Sequence, residues 1–529
     1  MDNWLSLFKS FKNSIDNVEV NQSLNLANQL CANSDVTIEQ ITDIYFVKNP
    51  IIVKNLNELE NEPELVKSLG LSIHFLRCNF TDEWAHEHLM SNQRFSVGRY
   101  QYIFPQKKGS PPLYNTYIYA ALEQGLINSI CPYSGEKLGT SISFPIFIDN
   151  KWTHIVFYLI TGSREPYYVG TAGYAGQKSF VYLPQHNLVI GSPAFFQLGY
   201  TKAHLVSGII ELYKKFLLYR EKMMNYLQNP ARKLALIYGL QTNLGHFLTN
   251  EYSGFQRIAW TGLYRKVKNV VIYKNKKIPL ELLFPEFKEE TYYTCDSEDQ
   301  LFETCLTQGL FVLYPCASHL SAEAAYRVQQ TAGKCCSESQ KELIADCMAD
   351  PLIFINLRKH NKAWQEQAEG IINLARAVKL SYPNAGFFLD GLSDCQEDVQ
   401  HISDSLQNET VIYNGIDISL FDTICWACRS DAYLCVIGSG LVLLTCIANK
   451  PGIVHSEYAH MGQVRPGGYW SGLRNDIFAP LLVSPEEITI LNEQSLHLPA
   501  IYKNYSMAWQ SLYTRLMKIL YPPIMNEDH

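Results

Sequence analysis

The chain has 529 residues, 47% of them hydrophobic, with 44 Lys and Arg against 51 Asp and Glu, a net charge of −7 and a pI near 6.1. That length and apolar content suffice for two or three ordinary cores and exclude a disordered or fibrous chain. The acidic balance, without any long Lys/Arg block, argues against a protein devoted to nucleic acid.

At the N-terminus, MDNWLSLFKSFKNSI sets Trp4, Leu5, Phe8, Phe11 and Ile15 on one helical face, with Lys9 and Lys12 on or near the polar side. It lacks the apolar core and cleavage site of a secretory signal. It reads as a helix docked on the body or, alternatively, as a peripheral contact with the inner face of a membrane through residues 1–15. No later segment offers the roughly 20 apolar residues of a spanning helix. From about Tyr100 to Pro193 the runs SISFPIFI, WTHIVFYLI and SFVYLP, separated by turn clusters, predict an antiparallel sheet, and a long helix is expected over His204–Leu227. Residues 1–228 are therefore expected to form an α+β domain, with acceptor or partner recognition as its role.

From Ala231, KLALIYGL, KNVVIYKN and GLFVLYPC alternate with helical segments, as in a Rossmann-like sheet over residues 229–345. Asn243, His246, Asn250 and Glu251 follow its first strand, at the carboxyl end where open parallel sheets bind ligands. His246 or Glu251 is the expected general base and Asn243 its orienting partner, although a histidine there is also a common cap or core residue.

A third region, 346–485, reads as a second parallel sheet. PLIFINL leads to Arg358, Lys359 and His360; NAGFFLD ends at Asp390; YLCVIG ends at Gly438, Ser439 and Gly440. WQEQAEGIINLARAVKL and ISLFDTICWACRS are the intervening helices. A glycine turn opening a helix offers unfilled N–H groups and a positive dipole end to a phosphate, and Arg358 and Lys359 would add charge. The plainer reading is a packing turn beside a solvated basic loop. His455 and Glu457, just past the next strand, are candidates for contacts with a ligand's hydroxyls. Arg465, Gly467, Gly468 and Trp470 suggest a lid or acceptor loop. The CWAC pair, Cys425 and Cys428, has no second pair at zinc spacing, and the fourteen cysteines fit a reducing cytoplasm. From about Leu498 to Tyr521, aromatic and apolar residues at helical spacing predict a closing helix within 486–529, which either crosses back onto the earlier domain or caps its own.

The segments INLRKHNKAW, FFLDG, VIGSGLVLLTCIANKPGIVH and NLGHFLTNE resemble the two-domain GT-B glycosyltransferases, over about residues 231–529. They are similar both to fucosyltransferase-like and to xylosyl- and N-acetylglucosaminyltransferase-like proteins. The resemblance implies transfer of a sugar, with inversion, from a nucleotide-diphosphate donor to a glycan, lipid-linked saccharide or protein. It implies a donor site at Arg358, Lys359, Asp390, Gly438, Ser439, Gly440, His455 and Glu457. No full dinucleotide or P-loop motif is present, and no DxD stands in a strand-terminal setting, so neither a cofactor nor a metal is expected. A nucleotide-sugar epimerase and a non-catalytic recognition module are the alternatives.

Overall fold

The computed structural model describes residues 46, 49–81, 116–148, 153–163, 165–172, 177–197, 201–274, 276–287, 290–317, 319–458, 460–461, 473–474, 476–491 and 503–521. The expected helix at 1–15 and the stretch with Arg465, Gly467, Gly468 and Trp470 lie outside them. The chain forms two compact units, Met1–Thr242 with Asn250–Ala317, and Asn243–Thr249 with Ser318–His529. The fold is α/β: two Rossmann-like parallel sheets preceded by an α+β region with an antiparallel sheet.

In the first unit, β1 (Ile52–Asn55) is followed by a hairpin of β2 (Ile127–Ile130) and β3 (Lys137–Thr140), then by β4 (Ser143–Ile148), β5 (Thr153–Ile160), β6 (Tyr167–Ala172), β7 (Gln177–Leu183) and β8 (Leu188–Gly191). Strands β4 to β8 form an antiparallel meander, and β1 joins its far edge in parallel with β8. Alternation sorts the side chains between two cores. Phe180 and Tyr182 pack with Leu205, Ile209 and Leu212 of the Lys202–Leu218 helix, whereas Val181 and Leu183 pack with Leu56, Leu59 and Leu76. The single helix expected over His204–Leu227 is two, Lys202–Leu218 and Arg220–Gln228, broken at Tyr219 (φ −112°, ψ 27°). The second piece brings Tyr226 to Ser143 and Leu310, whose carbonyls accept its O–H at 3.3 and 2.9 Å.

The same unit holds the first parallel sheet, β9 (Lys233–Tyr238), β10 (Asn269–Tyr273), β11 (Thr291–Cys295) and β12 (Leu310–Leu313), in the order β11-β10-β9-β12. The second unit is built on β13 (Leu352–Asn356), β14 (Gly386–Asp390), β15 (Val411–Asn414), β16 (Ala432–Val436), β17 (Gly452–His455) and β18 (Leu481–Leu482), all parallel, in the order β15-β14-β13-β16-β17-β18. Renumbered within the sheet this is 3-2-1-4-5-6, the doubly wound order, whose ligand crevice opens where the winding reverses, between β13 and β16. LIFI, FFL and AYLCV are buried throughout, as expected of strands covered on both faces by helices.

The C-terminal segment departs from the expected helix. Its first part is a strand, β20 (Tyr505–Met507), antiparallel to β19 (Ile488–Ile490). Tyr505 and Met507 are buried and Ser506 is half-buried, a period of two that helical spacing had absorbed. The helix proper, Trp509–Leu520, lies on the Gln367–Ser381 helix and inserts Leu512 and Leu516 into the core of its own unit. Among the described residues no helix is long and apolar enough to cross a membrane.

Candidate functional site

At the winding reversal of the second unit lies a cavity of about 140 Å³, lined by residues of three segments: Asn243 to Thr249, Lys362, and Ile437 to Val442, with His460 and Leu473 closing it. This is smaller than the roughly 300–1,000 Å³ of drug-sized pockets, room for the charged end of a ligand rather than a whole nucleotide.

The floor is made by two strand ends. β16 runs out at Ile437, and Gly438 continues in extended geometry before the turn Ser439–Leu441 and a π-helical stretch, Val442–Ile447. Both glycines are closely approached by side chains of the neighbouring strand end. A Cβ on Gly438 would stand 2.8 Å from Nη1 of Arg358, and one on Gly440 3.1 Å from the side chain of Asn356. Asn356 ends β13 and donates from Nδ2 to Oδ2 of its register partner Asp390 at 2.7 Å. Burial pushes the Asp390 carboxyl up to about 6. Asp390 is absent from the cavity lining; it fixes Asn356 beneath Gly440, a supporting place rather than the ligand contact expected from sequence.

The basic loop after β13 sorts its cations differently from the expectation. Lys359 turns outward to Glu397 (2.7 Å) and Asp398 (3.8 Å), ion pairs that raise its pKa, and it does not line the cavity. Lys362, which the sequence reading passed over, does. It is 7% exposed, and its Nζ donates to the Ile437 carbonyl at 3.2 Å. Burial, and then the nearby Arg358 charge, bring it down to about 8. Asn361 and Lys362 both have left-handed backbones (φ 52° and 62°), a strain of about 1 kcal/mol or more per residue that turns the amine inward. Arg358 is not a lining residue either, but stands against Gly438, which is; it is half-buried, with its pKa lowered by desolvation, and makes no ion pair among the described residues. Its backbone N–H is held by Oε1 of Gln367 at 2.9 Å.

The opposite wall is the 243–249 segment, which clusters with this unit. Asn243 Oδ1 caps the Leu244–His246 turn by accepting the His246 N–H at 3.2 Å and also accepts the Ser439 hydroxyl at 3.1 Å. One amide oxygen thus ties the expected histidine to the expected glycine turn, and His246, Asn243, Gly438 and Ser439 meet at one cavity.

Three other candidates are placed elsewhere. Glu251 is fully buried; Oε1 accepts the N–H of Gly239, and Oε2 accepts the N–H of Leu240 and Gln241 and the Tyr314 hydroxyl at 3.0 Å. Burial pushes it up to about 7 against those four donors. It stands as a clasp on the loop after β9, not as an accessible base. His455 is a core residue: its Nδ1 and the Tyr505 hydroxyl share a hydrogen bond of 2.7 Å, its ring meets Trp364 edge-on, and burial drives it down to about 3. Glu457 is fully buried too and does not line the cavity; it accepts the backbone N–H of His460 at 3.1 Å and binds the His460 Nδ1. Sequence reasoning missed Lys362 and His460. The turn-forming Asn361-Lys362 pair and the Glu-x-x-His spacing were the available signals. Among the described residues no group of three or more His, Cys, Asp or Glu is arranged to hold a metal ion.

No protein-family model matches this chain, and no curated protein matches it. Solved structures give a distant likeness to GT-B glycosyltransferases. Escherichia coli ADP-heptose lipopolysaccharide heptosyltransferase II is 11% identical over 54% of this chain and 98% of its own, with a TM-score of 0.30. A glycosyl transferase family 9 protein of Veillonella parvula gives 12%, 55%, 97% and 0.31. UDP-GlcNAc 2-epimerase of Methanocaldococcus jannaschii gives 10%, 54%, 92% and 0.28. At such TM-scores the function rests on the chain's own residues.

Proposed function

We propose that this protein is a metal-independent, inverting glycosyltransferase that moves a hexosyl or deoxyhexosyl group from a nucleotide-diphosphate sugar to a glycan, lipid-linked saccharide or protein. The observation that carries the reading is the pairing of two desolvated cations, Arg358 and Lys362, with the Gly438–Ser439 turn at the winding reversal of a doubly wound sheet. Buried cations that make no ion pair among the described residues suit an anion that gains charge as a bond breaks. As the anomeric carbon–oxygen bond opens, negative charge grows on the leaving diphosphate. Arg358, Lys362 and the backbone N–H groups after Gly438 would stabilise it, a role otherwise given to a divalent metal. The attacking hydroxyl must lose a proton, and His246, capped by Asn243 and lining the same cavity, was the acceptor expected from sequence.

A thermal-shift panel of UDP, GDP, ADP, CMP and their sugars tests the reading. A ligand at 100 times its Kd adds about 2.7 kcal/mol. At least one diphosphate should raise the melting temperature, and Arg358→Ala should remove most of that rise. The absence of any shift at millimolar ligand would refute the donor site. Incubation with the donor alone separates the epimerase alternative, which would yield a new nucleotide sugar where a transferase gives at most slow hydrolysis.

A further inference from the structure

Lys362 differs from an ordinary anion-binding lysine in what surrounds its amine. It lines the cavity, its Nζ donates to one neutral acceptor, the Ile437 carbonyl, and it makes no ion pair among the described residues. The charged and titratable groups around it are Arg358 on its own loop, Cys435 on β16, Glu457 beyond β17, and His246 and His460 in the cavity lining. Burial, and then the Arg358 charge, hold the amine at about 8. Near pH 7.5 about one amine in four is then neutral, against about one in a thousand for an unperturbed lysine. A lysine desolvated beside another cation is an activated nucleophile. Lys359, three residues earlier, is the opposite case: Glu397 and Asp398 keep its amine protonated. Arg358 stands against Gly438 in the same lining, so a phosphate drawn to it lies beside the nucleophile.

We propose that Lys362 is a modification site for small acyl phosphates, Arg358 drawing in the phosphate and Lys362 taking the acyl group, and that the acylated protein no longer holds a nucleoside diphosphate. The second half rests on the transferase reading; the first stands without it. In the step, the lone pair of the neutral Nζ bonds to the acyl carbon. The bond from that carbon to the phosphate oxygen breaks, and its electron pair leaves with inorganic phosphate beside Arg358. The nitrogen gives up one proton to solvent and becomes an amide. That amide keeps one N–H, which still serves the Ile437 carbonyl, while the positive charge is gone.

The test treats the full chain with acetyl phosphate and follows acetylation of each lysine by peptide mass spectrometry. Near pH 7.5 Lys362 should react about tenfold faster than Lys359 or more. Its rate should level off above about pH 8, whereas that of Lys359 keeps climbing. Inorganic pyrophosphate should slow Lys362 and leave Lys359 unchanged. Arg358→Gln should lower the ratio of reactivity toward acetyl phosphate to that toward p-nitrophenyl acetate, a donor with no phosphate to guide. Lys362 left unmodified, modified no faster than Lys359, or indifferent to pyrophosphate overturns the modification site, and the pyrophosphate arm needs no variant to fold. The acetylated protein should bind the nucleoside diphosphate that the panel identifies about tenfold more weakly or worse by calorimetry. Equal binding overturns the second half. Should the parent bind no nucleoside diphosphate while Lys362 acetylates as expected, the transferase reading falls and the modification site stands.

Discussion

Replacing Lys362 with methionine should move stability and binding in opposite directions. Its amine is held at about 8 instead of 10.5, chiefly by burial. At about 1.4 kcal/mol per pH unit that gap is about 3 kcal/mol, borne by the folded state wherever the amine is charged. The sign follows from the lowered pKa of a cation. The unfolded chain binds the proton more tightly, so the cost is full below pH 8 and is relieved as pH rises toward 10.5. Lys362→Met removes that cost at pH 7 and loses one hydrogen bond to the Ile437 carbonyl, worth about 1–2 kcal/mol once the carbonyl is left unpaired. The variant should therefore be more stable by about 1–2 kcal/mol, a few degrees in melting temperature, and the stability of the parent alone should climb between pH 8 and 10. A charged hydrogen bond to phosphate is worth about 1.5–3 kcal/mol, so nucleoside diphosphate affinity should fall about 10- to 150-fold by calorimetry. A variant that melts lower and binds diphosphate as the parent does would refute the reasoning.

Lys359→Ala, by contrast, should change diphosphate affinity less than about twofold and leave the melting temperature almost unmoved, because an exposed ion pair contributes little; calorimetry and a thermal melt check both. Glu251, raised to about 7, contributes stability that is fully present below about pH 4.5 and lost as pH rises through 7. Thermal melts of Glu251→Gln between pH 4.5 and 8 should be flatter than those of the parent, while Glu251→Ala, which strands four buried donors, should cost about 3 kcal/mol or more.

The core strands were readable because LIFI, FFL and AYLCV are apolar without interruption, as strands buried on both faces must be. The order of those strands was not, since winding is set by crossovers that sequence does not display. The short edges β15 and β18 carry only four and two residues. Within the site, Gly438, Ser439, Asn243 and His246 were legible through their places just past strand ends. Which way a side chain turns there was not. Lys359 and Lys362 look alike as letters, and what parts them is a pair of left-handed residues and a neighbouring acidic helix. His455 and Glu457 were placed near a ligand by distance along the chain. A tyrosine about 50 residues away and a histidine three residues away decided their roles.

The loop that carries Arg358 and Lys362 is stitched to the strand Tyr505–Met507. The Ala363 carbonyl accepts the Tyr505 N–H at 3.0 Å, the Tyr505 carbonyl accepts the Gln365 N–H at 2.8 Å, and the Met507 carbonyl accepts the Trp364 indole N–H at 3.0 Å. These contacts span about 140 residues of sequence. A loop that long must close before its contacts repay the lost chain entropy, so the conformation of the cationic turn depends on a distant part of the chain. A chain stopped near residue 490 would lose these three hydrogen bonds together with Leu512 and Leu516 from the core, and its two site cations would sit on an untethered turn.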